Sequence, residues 1–328
     1  MTARVGVCAT APGKLFLTGE WAVLVGAPAI VAAVDRRVTV RVTPTVETSL
    51  VVDSRAEGLQ RTISDRTASL PGGDAGAVAS AWQAMAGGGA QVIVDSSTFL
   101  IGERKLGLGR SAAVIAAATA AFRRLAGEPL DPTALRRAAL AANARFQAGR
   151  GSGGDIAAVV HGGVVEVRRG ADDLAVATRH LPAGLHLVAG WTGDSAHTTP
   201  LLAQFEAAVA TRPAALSDLC DTAEAGADAL ARDHADDFCR AIDRAARALA
   251  RLGDDLDLPI YTPALQRLVA VAERVGAVAK PSGAGGGDCG IALATSAAQA
   301  AAVRIAWQEA GIVPLPIAIA PEGVTVGD

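Results

Sequence analysis

Short stretches of alternating apolar and polar residues predict strands, mainly in the first half of the chain. Such alternation places successive side chains on opposite faces of a half-buried strand. In residues 38–42 the three valines share one face, and Thr39 and Arg41 share the other. The same pattern, together with short apolar runs near glycines, predicts strands at residues 5–9, 15–18, 38–42, 91–95, 164–168, 185–191, 291–294 and 315–320.

Longer segments rich in alanine and leucine predict helices, most of them in the second half. Asp131 and Pro132 mark one helix start, because proline is tolerated in the first turn and aspartate can cap free backbone N–H groups. Helices are predicted at residues 112–126, 131–147, 199–210, 214–231, 235–252, 263–275 and 297–310, with a short helix after residues 149–154. Mixed strands with a helix-rich second half indicate an α+β fold.

The length, net charge and apolar runs of the chain limit how many domains it has and which kinds of partner it can bind. A chain of 328 residues exceeds one typical core, so we expect two domains, at residues 1–182 and 183–328. The net charge is −3 and no basic run is interleaved with aromatic residues, which argues against a nucleic-acid partner. The apolar run 112–122 is too short to cross a bilayer and no signal peptide is visible, so we expect no membrane partner and a cytoplasmic location.

The four cysteines indicate neither a disulfide framework nor a metal site. Cys8, Cys220, Cys239 and Cys289 are scattered without a CxxC pair, which fits reduced thiols. Cys289 follows a glycine-rich segment, but no histidine partner for thiol catalysis is identifiable. We therefore interpret Cys289 as a small buried residue.

The chain has only three lysines, and each lies beside small or glycine-rich residues: Lys14, Lys105 and Lys280. Lysine is a compact, mobile point charge and arginine a planar fork, so the two rarely replace each other at a phosphate. The shared neighbourhood suggests that the lysines handle phosphate. The alternative is that an arginine-rich composition left three lysines by chance.

A glycine-rich turn before the helix at 112–126 is the strongest candidate for binding phosphate. Glycines let the backbone approach an anion closely, and the helix start would present free N–H groups and the positive end of its dipole. Ser111, in the first turn, would offer a hydroxyl to a Mg²⁺ that bridges phosphates. No Gly-Lys-Ser/Thr follows, so this is not a Walker loop. An ordinary turn before a helix is the alternative for these residues: Gly107, Leu108, Gly109, Arg110 and Ser111.

A second glycine-rich segment, 150–155, ends in Asp155 at a predicted helix start. An aspartate in this position often only caps the helix. The functional alternative makes Asp155 a base, or an orienting charge, for a substrate hydroxyl.

A third segment, 280–290, places several glycines directly before the apolar strand at 291–294. So much glycine costs conformational entropy, which is rarely tolerated unless the backbone approaches another group closely. A flexible loop is the alternative, and the abrupt strand that follows weakens it.

Three segments of the chain, the first of which contains Lys14, resemble in order the three motifs of the GHMP kinases, the small-molecule kinase superfamily that includes galactokinase, homoserine kinase and mevalonate kinase. The motifs correspond to residues 11–24, 107–112 and 282–290. Within the superfamily the chain is most similar to bacterial phosphomevalonate kinases, and it has Gly19-Glu20-Trp21 where mevalonate kinases usually carry Gly-Glu-His. The resemblance implies the GHMP kinase fold, with an N-terminal ribosomal S5 domain 2-like domain and a C-terminal ferredoxin-like domain.

The resemblance also implies a role for individual residues. Lys14 and Asp155 correspond to the catalytic lysine and aspartate. Residues that correspond to the ATP site are Lys105, Gly107, Leu108, Gly109, Arg110 and Ser111, with Ser111 as the contact to Mg²⁺. Residues that correspond to the substrate site are Lys14, Arg150, Ser152, Thr198, Thr199, Gly283, Ala284 and Gly285.

The chain departs from the family at Arg110, where the second motif usually has a serine. Arg110 either adds a fixed cation to the triphosphate or points to solvent from the helix start, and we favour the first.

The resemblance implies transfer of a phosphoryl group from ATP to 5-phosphomevalonate, giving 5-diphosphomevalonate, in the mevalonate pathway of isoprenoid biosynthesis. The acceptor oxygen is already ionised at neutral pH, so positioning and charge neutralisation should dominate, and Asp155 should orient Lys14 or the substrate. One alternative is mevalonate kinase or another GHMP small-molecule kinase, with Asp155 as a base for an alcohol. The other is an inactive nucleotide- or sugar-binding regulator. We expect a monomer or homodimer.

Overall fold

Two β-sheets of different size organise the chain. The computed structural model describes residues 6–85, 87–170, 173–195, 198–211 and 213–327. The first half contains β1 (Val7–Thr18), β2 (Ala29–Pro44), β3 (Leu50–Ser54), β4 (Leu59–Ile63), α1 (Gly73–Ala84), β5 (Ala90–Asp95), β6 (Leu100–Ile101), β7 (Arg104–Lys105), α2 (Arg110–Leu125), α3 (Pro132–Phe146), α4 (Gly154–His161), β8 (Val164–Arg169) and β9 (Leu174–Arg179). The second half contains β10 (His186–Trp191), α5 (Thr198–Ala208), α6 (Ala214–Ala231), α7 (Ala235–Leu256), α8 (Pro263–Arg274), β11 (Val278–Pro281), β12 (Cys289–Ala294), α9 (Ala297–Glu309), β13 (Val313–Leu315) and β14 (Thr325–Gly327).

The large sheet has eight strands, in the order β14-β1-β2-β5-β3-β4, with β8 paired to β2 and β9 to β8. The predicted alternation in β2 is confirmed: Val38, Val40 and Val42 are buried, whereas Arg41 is exposed. The valines therefore form part of the core under this sheet.

Helix α2 is the central element of that core. Its residues from Ala112 to Phe122 are all buried, and it contacts β1, β2, α1 and α3. Alanine on most of its surface lets these neighbours approach closely. Among the described helices, none is both long and apolar enough to cross a membrane.

The small sheet has four antiparallel strands in the order β11-β12-β10-β13. Its first strand thus lies between the third and the fourth, which is the ferredoxin-like arrangement. Helices α8 and α9 pack on this sheet, and α5, α6 and α7 precede them in the chain. The predicted ferredoxin-like topology of the second half is confirmed.

Several predicted strands differ from those observed. Residues 5–9 and 15–18 were expected as two strands, but β1 is continuous, with a register shift between Pro12 and Gly13 that absorbs the proline. The final strand was expected at 315–320, whereas the chain forms β13 earlier and β14 later. The patterns also missed several elements, namely β3, β4, β6, β7, β9, β11 and α1.

The end of the chain returns to the large sheet. Strand β14 pairs antiparallel with β1, with Ala9 opposite Val326. Before it, Ile319 forms a bridge to Val34, and Gly323 approaches Val160 so closely that a Cβ would lie 2.0 Å from the Val160 carbonyl oxygen. Strand β14, near the end of the chain, thus lies beside β1 in the large sheet. The domain division at residue 182 stays a prediction.

Removing the indole of Trp307 should show how much the packing of α9 on the small sheet contributes. Trp307 is fully buried and its Nε1 donates to the Leu268 carbonyl at 2.9 Å, so Trp307→Ala should lower the free energy of unfolding by about 3–5 kcal/mol. Ile305→Ala is the control on the same helix, since Ile305 is 57% exposed. Equal stability of the two variants in urea denaturation would contradict this account of the core.

Candidate active site

Lys14 lies in β1 where the first and second glycine-rich segments meet. Its backbone N–H donates to the Leu108 carbonyl at 2.8 Å. Its Nζ lies 3.6 Å from Oδ2 of Asp155 and 5.2 Å from the centroid of the Phe16 ring. The side chain is mostly buried, so its charge acts in surroundings that screen it less than water would.

The residues before α2 form a loop that only glycine fits. Gly107 and Gly109 have φ of +74° and +78°, in the left-handed region. A Cβ on Gly109 would lie 2.7 Å from Cγ of Lys14, and one on Gly107 would lie 2.3 Å from Cβ of Asp288. Gly109 is the N-cap residue of α2, and it has no side chain that could accept a hydrogen bond from the helix. The first backbone N–H groups of α2 are therefore not capped by this residue.

This loop lines a cleft of about 720 Å³. Ser111 and the exposed Lys105 also line it, as do Lys14 and Asp155. Arg110 is also part of the lining, so all the predicted nucleotide residues lie at this cleft.

Asp155 does not cap the helix in which it lies. Helix α4 begins after Gly153, which has φ of +78° and offers no side chain as a cap. Ser152 Oγ accepts a hydrogen bond from the N–H of Gly154 at 3.2 Å. Asp155, in the first turn, is paired with Lys14 instead. The capping alternative for Asp155 is thus wrong.

A second, smaller cavity of about 140 Å³ lies beside Lys14 and Asp155. Lys14 and Asp155 line it, together with Ser152, Gly283 and Ala284 of the expected substrate set and the apolar side chains of Phe16, Val23 and Leu24. Both cavities therefore share the Lys14–Asp155 pair.

Other predicted residues lie elsewhere. Gly285 is not among the residues that line the smaller cavity, and it packs where a Cβ would lie 2.4 Å from the Ile260 carbonyl oxygen. Arg150 lines the larger cleft, and its Nε lies 3.5 Å from Glu206. Thr198 and Thr199 begin α5, and their side chains lie outside the described residues.

The expectation that all three lysines handle phosphate is wrong for Lys280. It is fully buried, and its Nζ donates to Glu20 Oε1 and to the carbonyl of Pro281. Burial lowers the pKa of Lys280, and the Glu20 carboxylate opposes that shift. Lys280 is an internal ion-pair partner that lies outside both cavities.

Cys289 is the buried residue expected from the sequence. Its thiol donates to the Leu106 carbonyl at 2.8 Å, and burial raises the pKa of the thiol. A thiol held in the protonated form is unsuited to nucleophilic attack.

Arg110 does not point to solvent, so that alternative is wrong. Its guanidinium is largely buried and lies 2.7 Å from Glu57 and 3.5 Å from Asp74. A contact between Arg110 and a phosphate stays a prediction, and its charge is already matched by these two carboxylates.

Sequence reasoning missed two further side chains at the site. Asn143 is buried in α3 and lines the smaller cavity, and its Oδ1 has no hydrogen-bond partner among the described residues. Asp288 lines the larger cleft beside Gly107 and has a φ of +55°, which is rare for aspartate. Asp288 lay within a segment already singled out, whereas nothing in the sequence distinguishes Asn143 from other helical residues.

Replacing Lys280 by alanine should destabilise the fold, because Glu20 would be left buried without its cation. Breaking a buried pair in this way costs about 3–5 kcal/mol of unfolding free energy, measured by chemical denaturation. Lys105→Ala removes an exposed lysine and should change that free energy by less than about 0.5 kcal/mol. If both variants were equally stable, the buried pair would not be needed for folding.

Comparisons with known proteins agree with the geometry. The family model for the GHMP kinases N terminal domain matches residues 75–163, and the model for GHMP kinases C terminal matches residues 227–313. A phosphomevalonate kinase of Streptomyces sp. (strain CL190) is 34% identical, over 96% of this chain and 97% of that protein.

Solved structures show the same fold. A Lin0012 protein from Listeria innocua has a TM-score of 0.86 at 23% identity and covers 99% of this chain and 100% of its own. Streptococcus pneumoniae phosphomevalonate kinase, in complex with phosphomevalonate and AMPPNP, has a TM-score of 0.81 at 21% identity and covers 95% of this chain and 99% of its own. With both family models matched in order and a relative similar over nearly its whole length, the chain belongs to the GHMP kinases.

Proposed function

We propose that this kinase transfers the γ-phosphoryl group of ATP to the phosphate of 5-phosphomevalonate, giving ADP and 5-diphosphomevalonate. The observation that carries the proposal is the Lys14–Asp155 pair, which lines both the cleft beside the phosphate loop and the smaller cavity. A donor phosphate in the cleft and an acceptor in the smaller cavity would meet at this pair. The names of the Streptomyces relative and of the pneumococcal structure support this acceptor.

The larger cleft suits the nucleotide. Backbone N–H groups at the start of α2 favour phosphate, and Leu108 is held at β1 by the bond from Lys14. Lys105 contributes a mobile cation at the rim. The residues proposed for the nucleotide are Lys105, Gly107, Leu108, Gly109 and Ser111.

A magnesium ion fits this donor set when it arrives bound to the nucleotide. Among the described residues, no group of three or more His, Cys, Asp or Glu side chains could hold a metal without other ligands. Mg²⁺ on nucleotide phosphates needs only one or two protein ligands, and Ser111 lines the cleft. The ion would neutralise charge that develops between the two phosphates.

The acceptor chemistry explains why the lysine matters more than a base. A phosphate monoester oxygen is ionised at neutral pH, so no proton must be removed before it attacks. Lys14 would neutralise the two approaching phosphates, and Asp155 would hold the ammonium group between them. The proposed acceptor residues, besides this pair, are Arg150, Ser152, Thr198, Thr199, Gly283 and Ala284.

An ADP-release assay with Mg-ATP against 5-phosphomevalonate, mevalonate, homoserine and galactose tests the acceptor. Turnover should occur with 5-phosphomevalonate, and Lys14→Ala should lower kcat about 1,000-fold or more, or about 4 kcal/mol. Asp155→Asn keeps a hydrogen-bond acceptor and should lose less. Turnover with mevalonate alone would overturn the acceptor, and near-normal turnover by Lys14→Ala would overturn the role of the lysine.

Two glycine variants test whether the phosphate loop must touch Lys14. Gly109→Ala would bring a Cβ against the Lys14 side chain, whereas Gly102, with a φ of +59°, has no atom within 4 Å of its Cβ position. Both variants incur strain at positive φ, but only Gly109→Ala should lose kcat, by about 100-fold, since a displacement near 1 Å has such an effect. Similar kcat losses in both would show that strain alone is responsible.

A further inference from the structure

Three charged side chains form a cluster beside the phosphate loop, and one of them, Arg110, also lines the larger cleft. Arg110 donates from its terminal nitrogen to Glu57 Oε1 at 2.7 Å, and its Nε lies 3.5 Å from Oδ1 of Asp74. The side chains of Arg110, Glu57 and Asp74 are 12%, 20% and 1% exposed, so water screens their interactions only weakly.

The cluster connects α2 to α1, to the turn between β3 and β4, and to the ends of β3 and β5. Glu57 lies in the turn between β3 and β4, and its Oε1 accepts the backbone N–H of Asp74 at 3.1 Å. Asp74 lies in the first turn of α1, and its Oδ2 accepts hydroxyl hydrogen bonds from Ser54 at 2.8 Å and Ser96 at 2.7 Å. These hydrogen bonds hold each carboxylate in position independently of its contact with Arg110.

The balance of charge argues against Arg110 as a phosphate ligand. Two carboxylates surround one guanidinium, so the cluster has a net negative charge and would repel a triphosphate as a whole. Taking the guanidinium away from a buried carboxylate is also costly, because the carboxylate would lose its cation.

The position of Arg110 nevertheless sets the geometry of the phosphate loop. Arg110 follows Gly109 directly, and the space where Gly109 lacks a Cβ is filled by the Lys14 side chain. Leu108 is in turn bonded to the Lys14 backbone. A shift at the start of α2 would therefore move the loop relative to Lys14.

We propose that Glu57 and Asp74 are positioning residues of the nucleotide site, which clamp Arg110 and thereby hold the phosphate loop against Lys14. Arg110 acts through this clamp. Where the family usually has a serine, this chain has an arginine held by an ion pair. The inference rests on the proposed function, since the loop must bind the phosphates of ATP.

Glu57→Gln tests the clamp, because it removes the charge at almost constant size. We expect kcat to fall and the KM for ATP to rise, so that kcat/KM falls about tenfold or more. If Arg110 binds phosphate directly, the same change frees its guanidinium and ATP binds more tightly. Tighter ATP binding, or unchanged kcat and KM, would overturn the clamp.

Two further variants keep the test decisive. Arg110→Ser introduces the serine that is usual in the family. Because Arg110→Ser and Glu57→Gln remove the same interaction, the double variant should lose no more kcat/KM than the poorer single variant. Additive losses would overturn the clamp. Ser96→Ala removes one donor to Asp74 and should give a smaller loss in the same direction, which also serves if Glu57→Gln folds poorly.

Glu166→Gln is the matched control for a buried ion cluster away from the site. Glu166 is buried and lies 3.0 Å from Arg168 and 2.8 Å from Arg179. It should lose thermal stability and keep kcat and KM, and an equal kinetic loss in this variant would overturn the clamp. Failure of the unmodified protein to bind Mg-ATP in calorimetry would overturn the proposed function itself, whereas normal turnover with an unaffected Glu57→Gln would overturn the clamp alone.

Discussion

The buried ion pair between Lys280 and Glu20 joins the two sheets at the point where the active site forms. Glu20 follows the end of β1, and Lys280 lies in β11 of the small sheet. Glu20 also accepts the backbone N–H of Gly283 at 3.3 Å. Neither charge is solvated, so each must keep its partner, and this requirement fixes the third glycine-rich segment over β1.

Close packing then sets the positions of the reacting groups. Ser282 donates to the Phe16 carbonyl at 2.9 Å, two residues beyond Lys14 in the same strand. From the other side, Leu108 accepts the backbone N–H of Lys14, and Gly109 leaves room for its side chain. Lys14 is thus held between two glycine-rich segments that belong to different halves of the chain. The geometry of the candidate active site depends on contacts distant in sequence more than on any one motif.

The sequence predicted those features that depend on neighbouring residues. Alternation identified part of β2, and helix-start residues placed α3, where Asp131 accepts an N–H group as a cap. Strand β1 was divided in two because Pro12 and Gly13 resemble a break, although a register shift accommodates them. Helix α1 was missed because it is made largely of buried small residues and has no apolar stripe.

Charged residues were harder to interpret, because their partners lie far away in the chain. Lys280 stands beside a glycine-rich segment, as Lys14 does, yet its carboxylate partner is 260 residues distant. Arg110 likewise meets Glu57, 53 residues away, in the turn between β3 and β4. A local pattern records that a charge is present, and only the fold shows whether that charge is already neutralised.

The same reasoning bears on what distinguishes an alcohol acceptor from a phosphate acceptor. The Lys14–Asp155 pair, at 3.6 Å, suits either acceptor, because the aspartate can hold the lysine or remove a proton. In the proposed function the acceptor enters the smaller cavity, and the discrimination would lie there. Glu20 is part of the wall of this cavity, and one of its carboxylate oxygens accepts a hydrogen bond from Lys280. The ammonium group of Lys280 offsets the negative charge of Glu20. In the proposed function this ion pair would therefore reduce the repulsion that Glu20 exerts on a phosphate acceptor.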